Sequence, residues 1–265
     1  MIKSLLPALP PFAPVRIDIP APTPPVTPAP ARLDVSIIVP TFREALNLPA
    51  LTAAIIDMRD HSALTLDLWL MDDQSRDGSR EVVQTLNLPW VHLIERTGPR
   101  GLGRAVLEGL RTAQGQRLVV MDADLSHPAS AIPAMIDRLD HGADFVFGSR
   151  YIAGGNTAKG WGLLRAINSL GATLLARPLT RLRDPMSGFF AFDRARLDDA
   201  HTLDPVGYKI GLELVVKSRA KSVVEVPILF ANRVAGTSKL TLRQQLLYLE
   251  HLRRLYSFKF LGPAT

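Results

Sequence analysis

Residues 118–128 read LVVMDADLSHP, an apolar run that ends abruptly in two carboxylates, Asp122 and Asp124. An uninterrupted apolar strand suits a parallel sheet covered on both faces. In an extended backbone, side chains at i and i+2 point to one side, so both carboxylates are expected to face one point beyond the strand end. Ligands of open α/β sheets bind at that edge. Two hard oxygen ligands there suit Mg²⁺ or Mn²⁺ carrying a diphosphate. The triplet is short, and it also reads as solvated acids that merely end a strand.

Working outward, strands alternate with helices. Residues 35–40 (VSIIVP), 66–73, 91–96, 117–124 and 143–150 read as strands. Residues 44–58, 77–86, 103–114 and 133–139 read as helices. The expected fold class is α/β, with a mostly parallel central sheet and helices on both faces. After Tyr151 the rhythm loosens. Helices are expected at 162–176, 208–220 and 240–256, and strands at 187–193 and 223–233. Residues 7–30 hold ten of the 21 prolines and almost no charge. Such a segment favours extended polyproline geometry and cannot build a core, so residues 1–32 are expected to form a disordered Pro-rich tail.

Of the 265 residues, 47% are apolar and none is cysteine. A large core is affordable, whereas disulfides, thiolate metal sites and cysteine nucleophiles are excluded. The net charge of +6 implies anionic partners. No Lys/Arg block or RNA-binding aromatic motif points to nucleic acid. A phosphate-rich substrate or an anionic membrane surface fits better. No apolar run approaches the ~20 residues that span a bilayer. Prolines interrupt the opening MIKSLLPALPPF, so a cytoplasmic, unexported chain is expected.

Four strand ends carry groups suited to a ligand: Pro40, Thr41, Phe42, Arg43 and Glu44; Asp72 and Asp73; Asp122 and Asp124; Gly148, Ser149 and Arg150. Each alone reads as a cap or turn; four on one edge read as a site. Asp77-Gly78-Ser79 reads as a turn that caps a helix. Gly101-x-Gly103 resembles half of a dinucleotide fingerprint, but Val106 stands where a small residue is needed and the loop follows the third strand. Further on, 183–188 (RDPMSG) places a charged pair and a hydroxyl in a tight turn. Residues 233–239 (RVAGTSK) form a basic loop ahead of a helix. Both suit phosphate oxygens, although the second also reads as an ordinary solvated loop.

These blocks, in this order, resemble the polyprenyl-phosphate (dolichol-phosphate) mannose synthases of glycosyltransferase family 2. IIVPTFREALNL, LMDDQSRDGS, GPRGLGRAVLEGL, VVMDADLSHP, DFVFGSRY, DPMSGFFAFDR, GYKIGLELVVK and EVPILFANRVAGTSKL carry the likeness across 35–240. The resemblance implies a GT-A nucleotide-diphosphosugar transferase fold, with a catalytic domain over 33–240; the mix of Leu, Tyr, Phe, Arg and Lys that follows reads as a C-terminal amphipathic helix over 241–265. The resemblance also implies that Pro40, Thr41, Glu44 and Asp73 hold the nucleoside, that Asp122 contacts ribose or metal, and that Asp124 ligates the metal. Ser126 stands where some relatives offer a glutamine ligand.

The implied reaction moves mannose from GDP-mannose to a polyprenyl phosphate, with UDP-glucose or another nucleotide sugar as the rival donor. A non-catalytic scaffold that kept the fold is the outside reading. The acceptor carries about −1.5 to −2 charge and is already a nucleophile, so no general base is needed. Arg150, Ser187, Arg233, Lys239 and Arg183 are the expected phosphate ligands, and Glu213 a polar support rather than a base. In-line displacement of an α-linked donor gives a β-linked product. Residues 161–175 and 240–260 offer apolar and basic-aromatic faces for peripheral contact with the cytoplasmic side of a membrane, or for ordinary packing on the sheet.

Overall fold

A computed structural model of the chain describes residues 33–158, 163–198, 203–204, 209–231 and 242–262. The Pro-rich segment and the 233–239 loop lie outside the described residues.

In chain order the elements are β1 Val35–Thr41, α1 Leu48–Asp60, β2 Leu66–Asp72, α2 Ser79–Leu86, β3 Val91–Glu95, α3 Leu102–Thr112, β4 Arg117–Val120, α4 Ile132–Asp140, β5 Phe145–Ser149, β6 Asn156–Thr157, α5 Leu163–Ala176, β7 Phe190–Asp193, α6 Ala195–Asp198, α7 Ile210–Lys217, β8 Val223–Pro227, β9 Leu229–Phe230 and α8 Leu242–Leu261. Seven strands form one sheet in the order β3-β2-β1-β4-β7-β5-β8. Only β7 runs against its neighbours, so the sheet is mostly parallel, as expected. One apolar cluster gathers Ile37, Leu48, Leu68, Ile132 and Met135. A second gathers Ile38, Val106, Leu110, Phe145, Phe190 and Leu214. Adjacent residues Ile37 and Ile38 fall into different clusters because successive side chains on a strand point to opposite faces. Gly109 lets α3 lie close to the sheet: a Cβ there would come within 2.6 Å of Ile38 Cγ2.

The reversal at β7 positions the site. Its amino end pairs with the carboxyl ends of β4 and β5, Phe190 facing Val120 and Phe147. The turn that precedes β7 therefore arrives at the same edge as the loops that follow β4 and β5. Aromatic pairs across β5 and β7 fix this register. Phe145 stacks on Phe192 with centroids 4.9 Å apart, and Phe147 on Phe190 at 5.5 Å. Such pairs contribute about 0.5–1.5 kcal/mol each beyond area burial. A one-residue slip would turn them to the other face.

Three of the boundaries that differ from the sequence reading bear on the site. β4 stops at Val120 rather than running through Asp124. Helix α1 begins only at Leu48, after a turn in which Glu44 O accepts from Asn47 N–H. The strand expected over 223–233 is broken: Pro227 ends β8, Ile228 N–H donates to Ser149 O, and β9 pairs instead with β6.

Candidate active site

The carboxyl edge of β1 and β2 holds a hydrogen-bonded acidic cradle. Asp72 accepts from Thr41 Oγ1 at 3.3 Å, from Ser75 N–H at 2.9 Å, and from the Ser75 hydroxyl. Ser75 Oγ in turn accepts from Arg43 N–H at 2.8 Å. Asp73 is gripped twice: Arg96 Nη1 donates to Oδ1 at 2.5 Å and Gly101 N–H to Oδ2 at 2.8 Å. Arg96, itself buried, also donates to Glu108 at 2.8 Å. Thr41 and Asp73 thus sit together as expected, with Pro40 and Glu44 on the same strand and its following loop. Glu44 accepts from Asn47 Nδ2 at 2.6 Å. Asp77 does more than turn the chain. It accepts from the N–H and hydroxyl of Ser79, the first residue of α2, and from Ala45 N–H at 3.0 Å, tying the two loops together. Burial would raise its pKa, but these hydrogen bonds outweigh it and the pKa is lowered. The glycine loop at 98–101 serves the same edge by supplying the Gly101 amide. Arg100 lies 4.0 Å over the Phe42 ring.

The loop after β4 departs from the extended geometry expected of it. The chain bends at residues 123–125, and Leu125 adopts a left-handed φ of 62°. Arg43, Gln74 and Arg76 are left-handed too, so backbone strain gathers in the three loops of this edge, as it does at ligand sites. Asp124 Oδ1 accepts from Ser126 N–H at 3.1 Å and from its hydroxyl at 2.5 Å. Ser126 is fully buried. The bend brings its hydroxyl back onto the Asp124 carboxylate. The Asp122 side chain is 34% exposed. Gly188 leaves the space beside it open: a Cβ there would lie 3.4 Å from Asp122 Oδ1. Among the described residues, no group of three His, Asp or Glu side chains is placed to hold a metal ion.

Arg150 closes on Asp184 as a fork, Nε to Oδ2 at 2.7 Å and Nη2 to Oδ1 at 2.8 Å, with its own N–H adding a third bond at 3.1 Å. The charged pair expected between Arg183 and Asp184 is therefore a pair between Arg150 and Asp184. Adjacent residues on a turn diverge, and Asp184, fully buried, meets the strand-end arginine. Burial would lower the Arg150 pKa; the fork outweighs it and the pKa is raised. The Arg183 and Asp184 amides donate to the two oxygens of Glu225 on β8, both at 2.9 Å. Ser187 is buried, its Oγ accepting from Phe189 N–H at 3.2 Å.

Two residues with no assigned role in the sequence reading belong to this cluster. Lys209, half-buried just before α7, donates from Nζ to Met186 O. Burial and then the Arg150 charge draw its pKa down to about 8, against Asp122 and Asp184. His127 is buried among Asp122, Asp124, Arg150 and Asp184; burial lowers its pKa, the carboxylates opposing. No periodicity marks either residue. Their only signal is that each lies within a block already singled out, DADLSHP and GYKIGLE.

Among the described residues, the cluster thus holds three carboxylates (Asp122, Asp124 and Asp184) and two cations, Arg150 and Lys209. Beside it opens a cleft of about 490 Å³ lined by Tyr151, Leu170, Thr173, Arg177 and Arg183. Leu170 and Leu174 of α5 are exposed there and one turn away. Arg233 and Lys239 lie outside the described residues. Glu213 stands apart from the edge. It accepts from Asp204 N–H at 3.0 Å, pairs with Lys217 at 2.7 Å, and lies 3.4 Å from His251 of α8. It is the polar support expected, but of the α7–α8 packing.

The Glycosyl transferase family 2 pattern matches residues 36–201. A dolichol-phosphate mannosyltransferase of Mycosarcoma maydis is 43% identical over 234 residues, 85% of this chain and 80% of that one. The Saccharomyces cerevisiae protein of the same name is 40% identical, covering 86% of this chain and 89% of its own. A polyprenol monophosphomannose synthase of Mycolicibacterium smegmatis is 34% identical, covering 77% and 80%. Among solved structures, glucosyl-3-phosphoglycerate synthase of Mycobacterium tuberculosis in complex with Mn²⁺, UDP and phosphoglyceric acid superposes with a TM-score of 0.64. It is 18% identical and covers 88% of this chain and 80% of that one, a likeness of fold.

Proposed function

The chain belongs to glycosyl transferase family 2 and is a mannosyltransferase acting on a polyprenyl phosphate, and from that premise we propose that it takes mannose from GDP-mannose, with inversion, to give a β-linked polyprenyl phosphate mannose. One observation carries the site reading: Asp122, Asp124, His127, Arg150, Asp184 and Lys209 interact at one sheet edge, beside the Asp73 cradle.

The residues present fit a divalent cation. Asp122 and Asp124 are hard oxygen donors, and Gly188 leaves room in front of Asp122. Those two carboxylates would hold the ion, leaving the rest of its shell to the diphosphate and water. Mg²⁺ or Mn²⁺ there would offset the charge that develops on the departing nucleoside diphosphate. Among the described residues three carboxylates gather here, and a bound divalent cation would offset their repulsion of the donor diphosphate.

The nucleoside is placed on Thr41, Asp73, Pro40 and Glu44. Arg96 and Gly101 hold the Asp73 carboxylate rigid for that task. The acceptor phosphate oxygen attacks the anomeric carbon while the bond to the diphosphate breaks, its electron pair leaving with the diphosphate. Arg150 and Asp184 keep the turn holding Ser187 at the attack side. Arg150, Lys209 and Arg183, with Arg233 and Lys239, neutralise the second anion. Its polyprenyl chain leaves through the Tyr151–Leu170 cleft toward the exposed leucines of α5, where peripheral contact with a membrane's cytoplasmic face would seat the lipid. No described helix is long and apolar enough to cross a membrane.

Purified protein with Mg²⁺ or Mn²⁺ and a short polyprenyl phosphate, offered each radiolabelled nucleotide sugar in turn, tests the reading. Transfer from GDP-mannose is expected. Transfer only from UDP-glucose replaces the donor; transfer unaffected by chelation removes the metal.

A further inference from the structure

His127 lies five residues beyond Asp122, and the bend at 123–125 brings its ring back under the loop. Asp122 N–H donates to His127 Nδ1 at 3.0 Å. A nitrogen that accepts carries no proton, so the ring is the Nε2–H tautomer. Phe189 stacks on the imidazole with centroids 5.2 Å apart, and Phe230 meets it edge-on at 5.4 Å. The peptide beside it is pinned as well: Ala231 N–H donates to Ser126 O at 3.0 Å. The ring therefore joins three segments, the loop after β4, the Gly188–Phe189 stretch just before β7, and β9. Gly188 packs against this junction: a Cβ there would make ordinary contact with His127 Cε1 at 3.5 Å and Asp122 Oδ1 at 3.4 Å.

We infer that His127 is a positioning residue for the metal: its Nδ1 fixes the Asp122 backbone, and so aims the Asp122 carboxylate into the space that Gly188 leaves. The inference rests on the metal reading of Asp122 and Asp124 proposed above. Asp122 is about one-third exposed and follows a strand that has already ended, so the ring anchors its backbone where the ladder no longer does. Partners that orient ligands without touching the metal typically change its affinity 10–100-fold when removed.

Two substitutions separate the hydrogen bond from the packing. His127→Phe keeps an aromatic ring between Phe189 and Phe230 but cannot accept. His127→Asn loses the ring but places Oδ1 where Nδ1 stood. Mn²⁺ binding to the full chain is read by the EPR signal of the free ion, with GDP and with UDP in parallel arms and no acceptor present. The Phe variant is expected to bind Mn²⁺ about tenfold more weakly, and the Asn variant within about threefold of wild type. A folded Phe variant that binds like wild type overturns the inference, as does a folded Asn variant as weak as Phe. A wild-type chain that binds no Mn²⁺ overturns the metal reading and the inference together. Should the Phe variant not fold, hydrogen exchange of the wild-type Asp122 amide decides. Protection like that of the β4 amides supports the inference; exchange at an open-loop rate overturns it.

Discussion

Two buried charged clusters flank helix α7, and they are built to opposite ends. At its middle, Glu213 is matched by Lys217 one turn on, backed by His251 and the Asp204 amide. Burial would raise the Glu213 pKa, but the contacts with His251 and Lys217 outweigh it and the pKa is lowered. That acid is matched within its own cluster and joins α7 to α8. At the amino end, Lys209 and Arg150 face three carboxylates, one of them about one-third exposed beside an open space. Buried charge marks structure where it joins two helices, and a site where it gathers from several loops at the ligand edge of the sheet.

The widest separation is expected from Asp124→Asn, which keeps an acceptor for Ser126 and removes only the charge. Transfer should fall roughly 10³-fold while the melting temperature hardly moves. Normal kcat/KM in the Asp124→Asn enzyme would make both clusters structural. Glu213→Gln should do the reverse. Breaking a buried pair costs about 3 kcal/mol, which lowers Tm by roughly 6–12 °C in a domain of this size. Its kcat/KM below the transition should stay within about twofold of wild type, since no reacting group is touched. Because the Glu213 pKa is lowered, its stabilising contribution is present above its unfolded-state pKa and fades as pH falls through the folded value. Loss of transfer without loss of stability would put Glu213 in the site.

The contrast was only half legible in the sequence. Continuous apolar strands between periodic helices gave the parallel sheet, because burial on both faces leaves a plain mark. The antiparallel turn of β7 left none. Nothing in FAFD marks a direction, and the antiparallel register, with Phe145 opposite Phe192 and Phe147 opposite Phe190, appears only in the fold. For the site, the acids at Asp73, Asp122 and Asp124 stood at strand ends and could be read. The partners that hold them could not. Arg96, Asp184, His127 and Lys209 reach the edge through bends and crossovers, and none occupies a position that spacing singles out. The tight bend after Val120 also defeated the period-two argument for the two carboxylates, although both still lie close to His127.

Lys209 gives the smallest effect and the sharpest test, because it places the two demands on one atom. Its ammonium sits beside the Arg150 charge, and burial first and that charge second lower its pKa to about 8. Holding it charged at neutral pH opposes folding. Lys209→Met should therefore weaken acceptor phosphate binding about tenfold and yet raise Tm by about 2–4 °C for each ~1 kcal/mol of strain relieved. The pH dependence follows with opposite signs for the two properties. In the free enzyme the cation is present below about 8 and lost above it, so wild-type kcat/KM for the acceptor should fall as pH rises through that value. The unfolded chain keeps its proton up to the ordinary lysine value. Between the two, the unfolded state binds more protons, and this residue makes the fold more stable as pH rises. Activity falling while stability climbs, with both slopes reduced in the Met variant, would tie the sheet-edge cluster to phosphate capture. Parallel slopes, or a Met variant that keeps the activity slope, would return Lys209 to a purely structural role like that of Lys217.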